Sequence, residues 1–335
     1  MFAFIVRRLL QLIPTVFLAI SFLFLLFYVL PSDPASIIAG GNNRTPDPLV
    51  VEQVRERYGL NDPVWQQFLH YWGRVLHWDL GTSFTNNQSV NALLAEKAPR
   101  SIRLAIWATI IEVIVGISVG LISAVKRYSL IDKLTTVATT AAAAIPAFVL
   151  GYLLQYAFAV TPEKRNWPDW LQLKTSRLGP DSWFLFFIPT SDQWRYLILP
   201  SITLACVSTA LAARMMRGSM LEVLKADFMR TAKSKGLGER AVIFRHGLRN
   251  TLIPVITLIG IDFGTVVGAA VLTETVFSWP GIGSQIVDSV FDRDLPVILG
   301  LSLVVVIAYV TVNLIVDMSY AWFDPRIRLG ERAGG

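Results

Sequence analysis

Residues 295–320 read LPVILGLSLVVVIAYVTVNLIVDMSY, a run whose only charge is Asp317. A bilayer hydrocarbon core of about 30 Å is crossed by about 20 helical residues at ~1.5 Å each. The run is long enough to cross, and a helix satisfies its own backbone polar groups inside lipid. Working outward, residues 9–30, 102–124, 136–160, 196–216 and 252–276 pass the same test. The expectation is an all-α, polytopic membrane protein with six transmembrane helices.

Composition agrees with lipid as the solvent. Of 335 residues, 53% are hydrophobic and 16% charged, against roughly a quarter charged in soluble domains. The formal charge of +6 does not require nucleic acid, because cationic loops also sit beside anionic headgroups. The single cysteine, Cys206, has no disulfide partner, and His70, His77 and His246 lack metal-ligand spacing. No metal site is expected. The chain has no Gly-Lys dipeptide for a P-loop. It is expected to be non-catalytic and to bind no cofactor.

Residues 9–30 follow Arg7 and Arg8, as a secretory signal would. Their apolar region exceeds the usual ~7–15 residues, and no small-x-small cleavage site follows it before Pro31. A retained helix is expected. Lysine and arginine in short flanks set orientation. Arg7 and Arg8 precede the first span, and Lys126, Arg127 and Lys133 separate the second from the third. Arg214, Arg217, Lys225, Arg230, Lys233, Lys235, Arg240, Arg245 and Arg249 lie between the fourth and fifth, and Arg326, Arg328 and Arg332 end the chain. The loop between the fifth and sixth spans carries Asp288, Asp292 and Asp294 against Arg293. Six crossings put every basic segment on one side, so both termini are expected in the cytoplasm.

Two extracytoplasmic segments are long. In the first, Asp47-Pro48 reads as an N-cap with proline at the first helical position, and Gly59 as the stop. Asp62-Pro63 repeats the start signal, and Trp65, Phe68, Leu69, Trp72 and Leu76 then form one apolar helical face. Such a face can lie on the bilayer or cover the ends of the spans. The second segment holds Trp167, Trp170, Trp183, Phe184, Phe186, Phe187 and Trp194, which suit the membrane interface.

Between the fourth and fifth spans, Leu221, Leu224, Phe228 and Ala232 keep helical spacing, and Gly236 supplies the stop. A second short helix is expected from Glu239, with Ala241, Phe244 and Leu248 as its stripe. Two amphipathic helices suit docking into a partner's groove; a solvated basic loop on headgroups is the competing reading.

The run Ala226-Asp-Phe-Met-Arg-Thr-Ala-Lys-Ser-Lys-Gly-Leu-Gly-Glu-Arg240, with His246-Gly-Leu-Arg-Asn-Thr-Leu-Ile-Pro254, resembles the EAA loop of ABC importer permeases. It is most similar to the dipeptide/oligopeptide branch, in which Arg230-Thr231-Ala232 and Gly236 stand where the general motif has Glu-Ala-Ala and its glycine. Further runs resemble the same branch: Arg7-Arg-Leu-Leu-Gln-Leu-Ile-Pro14, Leu30-Pro-Ser-Asp-Pro34 and Asp79-Leu-Gly-Thr-Ser-Phe84. Glu274-Thr-Val-Phe-Ser-Trp-Pro-Gly-Ile-Gly283, Arg293-Asp-Leu-Pro296 and Asp324-Pro-Arg-Ile-Arg328 follow in order.

The resemblance implies a type I ABC importer permease fold in a bacterial inner membrane. It implies a second homologous permease subunit, two ATP-binding subunits carrying ATP and Mg, and an extracytoplasmic substrate-binding protein. Asp227, Arg230, Thr231, Ala232, Lys233, Gly236 and Leu237 would couple to an ATPase, with Arg245 and Arg249 as support. Substrates of the branch include dipeptides and oligopeptides, with glutathione, nickel and oligosaccharides as alternatives. The division expected is an N-terminal helix (1–30), an extracytoplasmic segment (31–98), a five-helix core (99–325) with the coupling loop at 217–254, and a tail (326–335).

Charges at mid-bilayer cost about 2.5–3.5 kcal/mol on insertion scales and call for a reason. Glu112 shares a face with Gly116 and Gly120, whose spacing permits close helix packing. Gly260, Gly264 and Gly268 form a second packing stripe, with Asp262 pointing away from it. Asp262 and Gln155 are candidates for a hydrated translocation path. Glu274 and Asp317 are expected to snorkel at span ends, and Pro146 to kink the third span. An ion-coupled secondary transporter would predict inverted repeats, and a membrane-embedded enzyme a nucleophile–base pair; neither pattern is evident.

Overall fold

A computed structural model describes residues 2–29, 35–36, 39, 47–168, 172–175, 183–184 and 188–323. Trp170, Phe186, Phe187, the tail 326–335 and the side chains of Arg7, Arg8 and Asp317 lie outside the described part. Most of the described backbone is helical; its extended pairing is a two-residue antiparallel pair, β1 (Trp183–Phe184) with β2 (Ile188–Pro189), and an isolated bridge between Thr82 and Ser89. Helix α1 is Phe2–Phe24, continued by a π-helical turn, Leu25–Val29. Next come α2 (Pro48–Tyr58), α3 (Val64–Leu76) and the long α4 (Val90–Val125). Then follow α5 (Leu130–Ala144), α6 (Ala147–Lys164), α7 (Ser191–Val223), α8 (Asp227–Ser234) and α9 (Glu239–Val276). Helices α10 (Ile282–Asp292) and α11 (Leu295–Phe323) close the described chain.

Among the described residues, α4, α7, α9 and α11 are each long and apolar enough to cross a bilayer. Helices α5 and α6 together make a fifth crossing, and α1 carries a shorter apolar stretch, Leu10–Phe24. Six crossings in the expected order are compatible with this inventory. The third crossing differs in kind from the expected kink. Ile145 and Pro146 are both extended, and the two halves meet at 108°. Proline removes an N–H donor and disfavours the helical conformation of the residue before it, so the helix breaks there.

The chain divides into two compact units, 1–101 with 280–335, and 102–279. The first unit contains the expected segments 1–30 and 31–98 whole, and α11 groups with it by packing on α1. In the first unit, α1 and α11 pack around Ile20, Phe24, Leu301 and Leu303, joined by Tyr71 from α3 and Val90 from α4. Helix α2 begins as its sequence predicts: Asp47 accepts from Leu49 N at 2.9 Å, Pro48 follows, and Gly59 at φ +62 ends it. Two distant runs meet at Asp294, which is 3% exposed. Its carboxylate accepts from Ser83 Oγ and from the backbone N–H of Phe84 (3.1 Å) and Thr85 (3.4 Å).

In the second unit, α7 is the central post, against which α4, α5, α6 and α9 pack. Its apolar contacts include Leu104, Ala108 and Val266 at one level and Leu121, Val255 and Ile259 at another. Helix α7 runs on to Val223, beyond the expected end of its span at 216. Glu274 is fully buried instead of snorkelling. A turn through Ser278 at φ +48 brings Trp279 N to Glu274 O at 2.8 Å, and Phe277 and Trp279 are themselves buried.

Candidate functional site

The segment between α7 and α9 is one exposed helix, α8, held at its base. Ala226 is extended and starts it; Asp227 in its first turn and Lys233 in its last complement the helix dipole. Gly236 at φ +78 follows the helix, a conformation glycine adopts without Cβ strain. Met229 (0% exposed) and Ala232 (6%) face inward and pack with Val242 of α9. A Cβ on Gly247 would meet Met220 Cε at 2.7 Å and Met229 Cε at 3.3 Å, so both methionines occupy the space its missing side chain leaves. Asp227, Arg230, Thr231, Lys233, Gly236 and Leu237 face outward, and so do Arg245 and Arg249 on the stem of α9.

Two expectations for this segment change. Leu221 belongs to α7 and Leu224 to its end, because the chain breaks direction at Ala226. The second helix is not short: Glu239–Ala241 continues through a π-helical stretch, Val242–Leu248, directly into the fifth span. Its buried residues are Val242, Ile243 and Gly247, while Ala241 and Phe244, named for the stripe, are exposed. The π-turn rotates the face by a fraction of a turn, which strict 3.6-residue spacing does not anticipate.

The post above α8 is clamped to the next element. Arg217 donates to Asp132 through Nε at 2.7 Å and Nη2 at 3.0 Å. Ser123 Oγ (2.5 Å) and Tyr128 N (2.9 Å) also donate to that carboxylate, and Ser129 Oγ accepts from Asp132 N. Arg214 reaches Thr139 O about two helical turns further along α5. Sequence reasoning passed over Asp132; the Ser129-x-x-Asp132 spacing of a helix start was its one local signal.

Of the intramembrane residues, Gly116 and Gly120 sit against α7, where added Cβ atoms would meet Ala212 Cβ at 2.8 Å and Ala213 O at 2.5 Å. Glu112, at the start of a π-helical turn, is 1% exposed, and neither carboxylate oxygen has a hydrogen-bond partner among the described residues. Gln155 instead donates to Val276 O at 2.8 Å, tying α6 to the end of α9. Fourteen residues, about 21 Å of helix, separate Val276 from Asp262, so Gln155 and Asp262 do not line one local site. The second glycine stripe is not one buried face: Gly264 is buried, Gly260 half-buried, and Gly268 open, with nothing within 4 Å of an added Cβ. Among the described residues no cluster of three His, Cys, Asp or Glu side chains forms a metal site.

Helices long enough to cross a bilayer, with one rooted, outward-facing helix between two of them, fit one class: the permease part of a multi-component transporter. Residues 116–329 match the family described as binding-protein-dependent transport system inner membrane component, and residues 1–105 match its N-terminal membrane-component companion. The chain belongs to this family and is an ABC importer permease subunit of the bacterial inner membrane. It is similar to the glutathione transport system permease protein GsiC of Escherichia coli and of Pectobacterium atrosepticum, each 38% identical over 330 residues. GsiC of Shigella flexneri is 37% identical. Each alignment covers 98% of this chain and 99% of the relative.

Proposed function

We propose that this subunit imports short peptides of the glutathione type and receives the work of ATP hydrolysis through α8. The family's transport role and the names of the GsiC relatives support a small peptide cargo, and among the branch's substrates they favour glutathione. The observation that carries the coupling role is the two-sided build of α8. Met229 and Ala232 root it, while Phe228 (44% exposed), Leu237 (39%) and Phe244 (59%) stand outward among Arg230, Lys233, Lys235 and Arg245. Apolar anchors inside a polar rim are what a helix-in-groove contact uses. In this reading, two ATPase subunits dock from the cytoplasm, a homologous permease completes the pathway, and a binding protein delivers cargo from outside. Residues 31–98 then face outward and both termini face the cytoplasm. Motion of α8 is carried into α7, and the Asp132–Arg217 clamp carries it to α5.

Uptake of labelled glutathione and of di- and tripeptides in a deletion strain complemented with this chain tests the cargo. Uptake confined to longer peptides or to nickel would overturn that part. Co-purification of the ATPase subunits with a Phe228→Ala, Phe244→Ala double variant tests the docking: normal permease abundance with at least tenfold less ATPase is expected. Unchanged recovery would sink it.

A further inference from the structure

We infer that α3 lies within the outer half of the bilayer, with Trp65, Leu69 and Leu76 against lipid acyl chains. The inference rests on the outward placement of residues 31–98 proposed above.

Two helical rulers set its depth. Trp72 stacks on Phe17 of α1 at 5.2 Å between centroids, and Phe68 and Tyr71 meet Phe24 at 5.2 and 5.7 Å. Phe17 and Phe24 stand about 14 and 24 Å along the helix from Arg8, the basic residue that marks the cytoplasmic boundary. From the other end, Tyr71 packs in one cluster with Leu303 of α11. Leu303 lies about 12 Å inward from Leu295, where that apolar helix begins. Both rulers put the centre of α3 below the outer boundary of a ~30 Å core.

The surface of α3 suits that depth. Trp65 (62% exposed), Leu69 (58%) and Leu76 (75%) form an apolar side opposite Tyr71. Phe17 is 46% exposed beside Trp72, so this side continues into the outward residues of α1, Leu18 (65%) and Phe22 (63%). A helix on a watery surface would turn polar residues there. The backbone is also closed against lipid at its C-terminus. Gly73, Arg74 and Val75 carbonyls accept from His77, Asp79 and Trp78 N–H groups at 2.9–3.2 Å. Gln67 donates to Leu60 O and Asp62 O, His70 sits 4.0 Å from Asp62, and Arg74 lines a cavity of about 40 Å³ beside Asp79 and Leu295. Long cationic side chains reach such a boundary by snorkelling.

The test uses the assembled transporter in lipid bilayers, with Cys206→Ser as background and a nitroxide at Leu69→Cys, Leu76→Cys, Leu18→Cys or Gln53→Cys. Collision with oxygen should exceed collision with a water-soluble nickel chelate at least threefold at Leu69 and Leu76, as at Leu18, and the order should reverse at Gln53. Nickel access at Leu69 would place the helix in water and overturn the inference; poor access to both reagents would mean a protein partner covers it, which also overturns it. Labelling of Gln53→Cys by an impermeant maleimide in intact cells separately tests the outward placement, and its failure would leave the depth result readable.

Discussion

Asp132 is the residue that ties the neighbouring ends of three helices, α4, α5 and α7, together. Its carboxylate is 5% exposed and accepts from Arg217, Ser123 and Tyr128, so removing one partner strands a buried charge. Breaking a buried pair costs about 3–5 kcal/mol; Arg217 is 31% exposed, which places the expected loss at the lower end. Asp132→Ala and Arg217→Ala should each lower the melting temperature of the purified complex, and the double variant should lose much less than the sum. Additive losses would show the two groups do not act together. Gly120→Ala should prevent close packing, because its Cβ would meet Ala213 O at 2.5 Å, whereas Gly268→Ala has open space and should leave the folded subunit intact. Thermal unfolding of the two variants side by side checks this. Asp132 was hardly legible beforehand: its importance comes from Arg217, 85 positions away, and nothing local to residue 132 announces that partner.

Among the elements, α8 separates folding from function. Met229→Ala removes a fully buried side chain, a change that costs about 2–5 kcal/mol in a packed core, so α8 should loosen and become sensitive to limited proteolysis. Phe228→Ala touches only the outward face and should leave protease resistance unchanged while weakening ATPase recovery. If both variants behaved alike, the division into root and face would be wrong. Helix α2 was readable from sequence because its start and stop are local: a capping aspartate, a first-turn proline and a left-handed glycine. The stripe of α9 was misread at Ala241 and Phe244 because a π-turn is set by packing around Met220 and Met229, not by spacing. The same limit applied to α3. Its periodicity located an apolar helix, but the buried member Tyr71 was absent from the face read out, and the side around Trp65 is exposed.

For the whole molecule, the expected result is a topology with α8 inside and α2 outside. Lys235→Cys should be labelled by an impermeant reagent only in inverted vesicles, and Gln53→Cys only in intact cells. The opposite pattern would remove the coupling role of α8. Lipid solvent, helical class, the approximate spans and the basic segment were determined by sequence alone, because hydrophobic run length and loop charge act through solvation and need no knowledge of neighbours. Tertiary structure alone decided the 108° break at Pro146, the burial of Glu274 and the meeting of Ser83 with Asp294. It also decided the clamp of Arg217 on Asp132. The two carboxylate contacts depend on groups far apart in the chain being brought within a few ångströms, and such hydrogen bonding has no trace in the order of residues until the helices are in place.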